Sequence, residues 1–311
     1  MAVSLGPNGG RPGPDGGSPG SDAGSPAPDA DGVKPDANGL GPDAGSATHG
    51  DPGDRHFVTA LARGLQLLRC FRSGEERLGN QQLAERCGLP KSTVTRLTYT
   101  LTRLGYLHHN TQTGHTGHAG RYRLGLAALG IGGATLARLE VREKSRPVMQ
   151  ALADATGTQL ALTVRDELAM LYVETCRPGN ILLLLVLDVG SRIPLGLTAA
   201  GRACLAGMDA AHRRPLLARL QTLDEAGWPA VERGIRQAQA KLAELGCCGS
   251  FGDWKPEIHG IAVPLALGNG LPDMVLSAAG PAISRSAASY LAEVRPLLID
   301  AVQQIRGQLG R

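Results

Sequence analysis

Aromatic side chains are scarce in this chain of 311 residues: three Phe, two Trp and five Tyr, about 3% of the total. With 42% of residues hydrophobic, a core must be packed by Leu, Val, Ile and Ala, which suits two modest domains better than one large one. Long apolar runs are missing as well. The longest, Ile181 to Leu187, is far too short to cross a bilayer and reads as a buried strand. The first residues lack the basic-then-apolar order of a secretory signal, so no membrane association is expected. The six Cys contain no C-x-x-C pair and no zinc spacing, and neighbours such as Cys247 and Cys248 rarely bridge without strain. That pattern fits a reducing cytoplasm and no structural metal. No Gly-rich phosphate loop follows a strand and opens a helix, so no nucleotide cofactor is expected.

Acid is the next shortage, and it is local. The net charge of +4 conceals a sharp division. Residues 1–54 carry eight Asp against Arg11 and Lys34, whereas residues 55–123 carry eleven Arg and Lys against Glu75, Glu76 and Glu85, with five His besides. A basic block of this size either neutralises phosphates or is simply a solvated surface; charge alone leaves both open.

The first 54 residues are Gly, Pro, Asp, Ser and Ala with recurring P-D-A and G-S-P fragments. They offer too little apolar surface to offset chain entropy and are expected to form a disordered tail. Regular structure should begin near His56, where Phe57, Leu61, Leu65, Leu68 and Phe71 recur at helical spacing. Asn80 is placed to cap a short second helix holding Leu83 and Ala84. Gly88-Leu89-Pro90 then turns the chain into a third helix, about Lys91 to Leu104, stopped by Gly105. A Gly, Thr and His stretch between Tyr106-Leu107 and Arg121-Tyr122-Arg123-Leu124 predicts a hairpin wing. Helical character returns from Leu126 to Ala155. Strands are expected at 160–164, 169–174, 181–189, 258–267 and 274–279, with helices at 198–208, 211–220, 231–245 and 284–309. Strands grouped centrally with helices at the flanks predict an α+β domain.

Helix, short helix, Gly-containing turn, helix is the order of a helix-turn-helix. In the third helix Val94, Leu97, Leu101 and Leu104 supply an apolar stripe, leaving Ser92, Thr93, Thr95, Arg96, Tyr99, Thr100 and Arg103 outward. An ordinary solvated helix would mix Glu among its cations; this face has no acid at all. It therefore reads as a surface for double-stranded DNA, with Arg96 as the candidate base-reading residue. Lys91, Ser92, Thr93, Thr95, Thr100 and Arg103, with Arg121 and Arg123 on the wing, are the other candidate contacts. His108, His109, His115 and His118 tempt a metal reading, but Gly and Thr neighbours favour a loop over a ligand cage. Catalysis would need a nucleophile with a base, yet Cys176, Cys204, Cys247, Cys248, His212 and His259 sit in no recognised signature, so no catalytic residues are assigned. A purely architectural DNA binder would not need the second domain.

Taken in order, several segments closely resemble the IclR family of bacterial transcriptional regulators. They are Ala62-Arg63-Gly64-Leu65, the run from Gly88 to Leu97, Leu104-Gly105-Tyr106 and Tyr122-Arg123-Leu124-Gly125. The likeness continues through Leu152–Gly157, Gly190–Leu195, Thr198–Ala203, Ile261–Leu265 and Leu276–Pro281, covering about residues 55–309. The resemblance implies a winged helix-turn-helix over 55–125, a linker helix over 126–140 and a GAF/PAS-like α/β effector domain over 141–309. It also implies homodimers or homotetramers, and a small carboxylate or aromatic acid as effector of a regulator, here expected to be a repressor. Carried over by motif, the effector residues are Leu185, Ala199, Ala200, Ser250, Gly260 and Ser277. Backbone N–H groups at the start of the helix containing Ala199 would face a carboxylate, and Ser277 would donate a further hydrogen bond; close helix–sheet packing explains the same small residues equally well. Trp254 and Phe251 are candidate walls or, with so few aromatics available, simply core residues. Many relatives carry an acidic residue in the loop where this chain has Cys248–Trp254, so effector identity does not transfer.

Overall fold

A computed structural model describes residues 55–71, 77–110, 120–179, 187–268 and 273–310. The expected tail, residues 181–186 of the strand expected over 181–189, with Leu185, and the wing-tip His115 and His118 lie outside the described residues, and residues 187–189 form a loop rather than strand.

The first part of the chain forms α1 (Thr59–Arg69), β1 (Leu78–Gly79), α2 (Asn80–Cys87), α3 (Lys91–Arg103), β2 (Leu107–Asn110) and β3 (Arg121–Leu124). Gly88, in the left-handed region at φ 63°, ends α2, and Gly105 at φ 77° follows the C-cap of α3. Leu107 pairs with Leu124 and Asn110 with Arg121 in the antiparallel wing, and β1 adds a third strand that the sequence did not announce. Leu67, Leu83, Val94, Leu107 and Tyr122 make the small core.

Two expectations for these helices need correction. Asn80 is the first residue of α2, not its cap. Its side chain spans to α3 instead, donating to Thr95 Oγ1 (3.3 Å) and accepting from Thr98 Oγ1 (3.5 Å). The apolar stripes also divide differently. In α1 the core takes Gly64 and Leu67, while Leu61 and Leu65 remain exposed; in α3 it takes Val94 and Thr98, leaving Leu97 and Leu101 half-buried and Leu104 exposed. Each helix carries apolar residues beyond the arc its own domain covers, and these meet across one groove.

That groove is continued by α4 (Leu126–Ala137), in which no residue is buried. A break at Arg138-Leu139 separates it from α5 (Glu140–Thr156). Strands β4 (Gln159–Asp166), β5 (Ala169–Cys176), β6 (Arg192–Pro194), β7 (Cys248–Phe251), β8 (Ile258–Leu265) and β9 (Met274–Pro281) form an antiparallel sheet in the order β6-β5-β4-β9-β8-β7. Helices α6 (Ala199–Gly207), α7 (Ala210–Leu223) and α8 (Trp228–Leu245) connect β6 to β7. The expected C-terminal helix is interrupted: α9 (Ala287–Ser289) passes through a π turn (Tyr290–Val294) into α10 (Arg295–Gln308).

The sheet's two faces differ in residue size, and this positions the site. Alternation sends Leu160, Leu162, Ile261, Val263 and Leu276 to the face covered by α5 and α10, where they pack fully. The same alternation sends Ala161, Gly260, Ala262, Ser277 and Ala279 to the face beneath α6. Large residues fill one side of the sheet, and small ones leave space on the other.

Candidate functional site

Two places combine function-bearing residues. The first is the outer surface of α3. Lys91, Ser92, Thr95, Arg96, Thr100 and Arg103 are all exposed, and Thr93 is half-buried. None of Lys91, Arg96, Arg103, Arg121 or Arg123 pairs with a described carboxylate. The hydroxyls are less available than the sequence suggested: Thr95 Oγ1 donates to Lys91 O (2.9 Å) and Thr100 Oγ1 to Arg96 O (3.0 Å), leaving only acceptor capacity. Lys91 Nζ reaches Gln81 Oε1 at 3.4 Å. Arg123 is exposed on the wing, Arg121 half-buried beside it, and His109 stacks on Tyr122 with ring centroids 4.5 Å apart.

The second is a cavity between the sheet and the start of α6. Of the sequence candidates, Ala199, Ala200, Ser250, Gly260 and Ser277 all line it, brought together from one helix and three strands. Leu185 lies outside the described residues. Gly201 belongs to packing instead: a side chain there would strike Leu195 O at 2.0 Å. Trp254 lines the cavity as expected, whereas Phe251 turns to the opposite core, edge-on to His259.

The polarity of this cavity differs from the expectation at one position. Ser277 Oγ spends its proton on Ala161 O (3.3 Å), and Ser250 Oγ on Leu197 O (2.8 Å), so both present lone pairs rather than donors. Gln159 does likewise: its Nε2 donates to Thr175 Oγ1 and Leu187 O, which leaves Oε1 as acceptor. Donors come from elsewhere. Thr198 caps α6 by accepting from Gly201 N (3.1 Å), while the N–H groups of Ala199 and Ala200, in the helix's first turn, have no intrahelical acceptor. Tyr172, 5% exposed, lines the same cavity and its hydroxyl bonds to no described residue. Burial raises its phenol further above the ordinary range despite the charge of Arg177, so it remains a donor. Tyr172 and Gln159 were missed because a strand sequence does not reveal which face borders a void.

No charged side chain lines the cavity among the described residues. The nearby Arg202 is buried and committed to Gly196 O, Gly249 O and Asp253 Oδ2 (3.0 Å). Burial pushes the Asp253 carboxyl up, but Arg202 and the Phe251 N–H outweigh it and hold the group below the usual carboxylate range. The cysteines of this domain are poor nucleophiles: burial pushes Cys204 to about 11 and Cys248 to about 12, and also raises Cys176 and Cys247. Among the described residues no group of three or more His, Cys, Asp or Glu is placed to hold a metal, and no helix is long and apolar enough to cross a membrane.

The cavity wall is joined to the helix-turn-helix part by charge. Asp166, at the end of β4, pairs with Arg192 on β6 (2.8 Å) and with Arg69 at the end of α1 (2.9 Å), and Ile193 next to Arg192 lines the cavity.

Residues 60–111 match the IclR helix-turn-helix domain, and residues 133–306 match the bacterial transcriptional regulator IclR C-terminal domain. The chain is 32% identical over 254 residues to the HTH-type transcriptional regulator TsaQ1/TsaQ2 of Comamonas testosteroni, covering 81% of this chain and 88% of that one. The crystal structure of an IclR family transcriptional regulator from Brucella abortus superposes with a TM-score of 0.74 at 35% identity, over 83% of this chain and 95% of that one. An IclR homolog from Microbacterium hydrocarbonoxydans, complexed with 4-hydroxybenzoate, shares the fold at 22% identity and a TM-score of 0.61, over 81% and 99% of the two chains. With both domains matched in order across nearly all of residues 60–306, this protein belongs to the IclR family of helix-turn-helix transcriptional regulators.

Proposed function

We propose that this chain is a cytoplasmic, dimeric repressor that releases its operator in response to a small hydroxylated organic acid, without chemically transforming it. The observation that carries the DNA half is the α3 surface: exposed cations, no acid, and no carboxylate partner within the described residues. Arg96 reads a base edge; Lys91, Ser92, Thr93, Thr95, Thr100, Arg103, Arg121 and Arg123 hold phosphates and set the register. Fluorescence anisotropy on the adjoining intergenic DNA tests this. Arg96→Ala should lose discrimination between operator and scrambled DNA by about 1–3 kcal/mol, whereas Arg123→Ala should weaken both DNAs alike and flatten the salt dependence. Identical behaviour of the two variants would contradict these roles.

The effector half rests on the hydrogen-bonding character of the cavity. The first-turn N–H groups of Ala199 and Ala200 suit a carboxylate, since among the described residues no cationic side chain lines the cavity to balance it. Ser250, Ser277 and Gln159 Oε1 are acceptors and suit a ligand whose other end donates, as a hydroxyl does. The 4-hydroxybenzoate bound by the Microbacterium homolog has both features, which supports the reading. In a thermal-shift screen, hydroxybenzoates should raise the melting point more than benzoate itself. Ala200→Phe should abolish that response by filling the cavity while leaving operator binding in place. An Ala200→Phe variant that still responds fully would move the effector elsewhere.

Dimerisation is supported by the face that α1, α3 and α4 leave uncovered. Ile131 on α4, 58% exposed, lines one groove with Leu61, Leu65 and Leu104, while Leu126 and Leu129, 84% and 69% exposed, stand on the other side of the same helix. Exposed apolar side chains on both sides of one unburied helix mark an interaction site. A second copy related by a two-fold axis would cover it and set two α3 helices toward successive major grooves. Effector binding then shifts the balance between DNA-competent and incompetent pairs, and it does so only through differential affinity for the two. The Arg192–Asp166–Arg69 chain provides a physical route from cavity to α1.

A further inference from the structure

The helix-turn-helix domain carries in its small core a pair of thiols that neither of the two sites above uses. Cys70 caps the C-terminus of α1, and Cys87 is the last residue of α2. Seventeen residues apart in sequence, their sulfurs approach to 3.1 Å in the domain core. A disulfide needs about 2.05 Å, so closure asks for a shift of roughly 1 Å. The backbones are already clamped in that relation: Gln66 Nε2 donates to Cys87 O (3.1 Å) and Arg86 Nη1 to Cys70 O (3.0 Å). Both thiols keep a sliver of exposure, 8% and 6%.

We propose that Cys70 and Cys87 form a reversible dithiol–disulfide site that cross-links α1 to α2 directly behind the DNA-reading helix. The co-reactant is a two-electron oxidant of the peroxide class. The Cys87 thiolate attacks one peroxide oxygen, the O–O bond breaks, and Cys87 becomes a sulfenic acid as hydroxide departs. The Cys70 sulfur then displaces the sulfenic oxygen, its proton leaving with that oxygen as water. Overall, two thiols and one hydrogen peroxide yield one disulfide and two waters. Cys87 is the suited first nucleophile: its hydrogen bond with Cys70 lowers its thiol from the ordinary range against the opposing effect of burial, whereas Cys176, Cys204, Cys247 and Cys248 are all raised.

The position of the bond gives it a consequence. Cys87 immediately precedes Gly88, whose positive φ starts the turn into α3. A bond here ties the two supporting helices together at the point from which α3 departs. It also closes the chain loop from residue 70 to residue 87, which restricts the unfolded state and stabilises the folded one.

The test uses the full-length protein, reduced and then exposed to hydrogen peroxide under native conditions. After alkylation with iodoacetamide and tryptic digestion without reductant, the peptide Cys70-Phe71-Arg72 should be found joined to Cys87-Gly88-Leu89-Pro90-Lys91. The joined mass is two hydrogens below the sum of the parts, and dithiothreitol should separate them. The oxidised protein should melt a few degrees above the reduced one, and oxidised Cys87→Ser should show no such rise. The wild-type digest decides the matter even if Cys87→Ser folds poorly. The proposal is overturned if both peptides are recovered alkylated after peroxide treatment. It is equally overturned if Cys87 ends as sulfinic acid with no joined peptide, or if the joined peptide forms only in denatured protein.

Discussion

Leu129→Glu should convert the protein to a monomer and reduce operator affinity by about a hundredfold or more. The side chain is 69% exposed on α4, a helix with no buried residue, one turn from Leu126, itself 84% exposed. Since Leu129 contributes nothing to its own chain's core, the substitution should leave the melting of the effector domain unchanged. Across a two-fold axis, however, two new carboxylates would be desolvated close together without partners. A dimer gains its affinity by linking two half-site contacts, and losing that linkage removes about 10²–10⁴ in binding. Sedimentation velocity and anisotropy read the two consequences separately. A Leu129→Glu protein that remains dimeric would place the subunit interface on another surface.

The second large effect is expected at Gly201, in the first turn of α6. Helix propensity alone favours replacing this glycine, by about 1 kcal/mol for alanine. Packing opposes it more strongly. A Cβ at Gly201 would lie 2.0 Å from Leu195 O and 2.6 Å from its Cα, both backbone atoms that no rotamer change can move. Overpacking of this kind costs about 1–3 kcal/mol and sometimes more, so Gly201→Val should lose about 3 kcal/mol from the effector domain. Urea denaturation followed by circular dichroism would show it as a lowered midpoint. Unchanged stability would mean that α6 does not sit as close to β6 as described. Ala199 and Ala200, beside it, face the cavity and should tolerate small substitutions in stability while altering effector response. Adjacent residues in one T-A-A-G segment thus serve separate ends.

The division of labour between sequence and tertiary structure follows from which forces are local. The helix-turn-helix order, the stop at Gly105, the wing and the acid-free face of α3 depend on capping, turn chemistry and periodicity, all of which act within a few residues and can be read from the chain. The family likeness likewise placed Ala199, Ala200, Ser250, Gly260 and Ser277 in advance, and the fold gathers all five around one cavity.

Other features needed the fold. An apolar stripe tells that a face is covered, but not by what: Leu61, Leu65 and Leu104 kept helical spacing with core residues yet remain outside their own domain's core. Whether a serine offers a proton or a lone pair depends on which carbonyl lies within reach, and Ala161 O, 116 residues from Ser277, is brought there only by strand pairing. The meeting of Cys70 with Cys87, and the membership of Tyr172 in the cavity, were decided in the same way. Local preferences determine the elements; distances between elements arise only when the chain closes on itself, and it is those distances that set hydrogen-bond direction, thiol contact and the shape of the void.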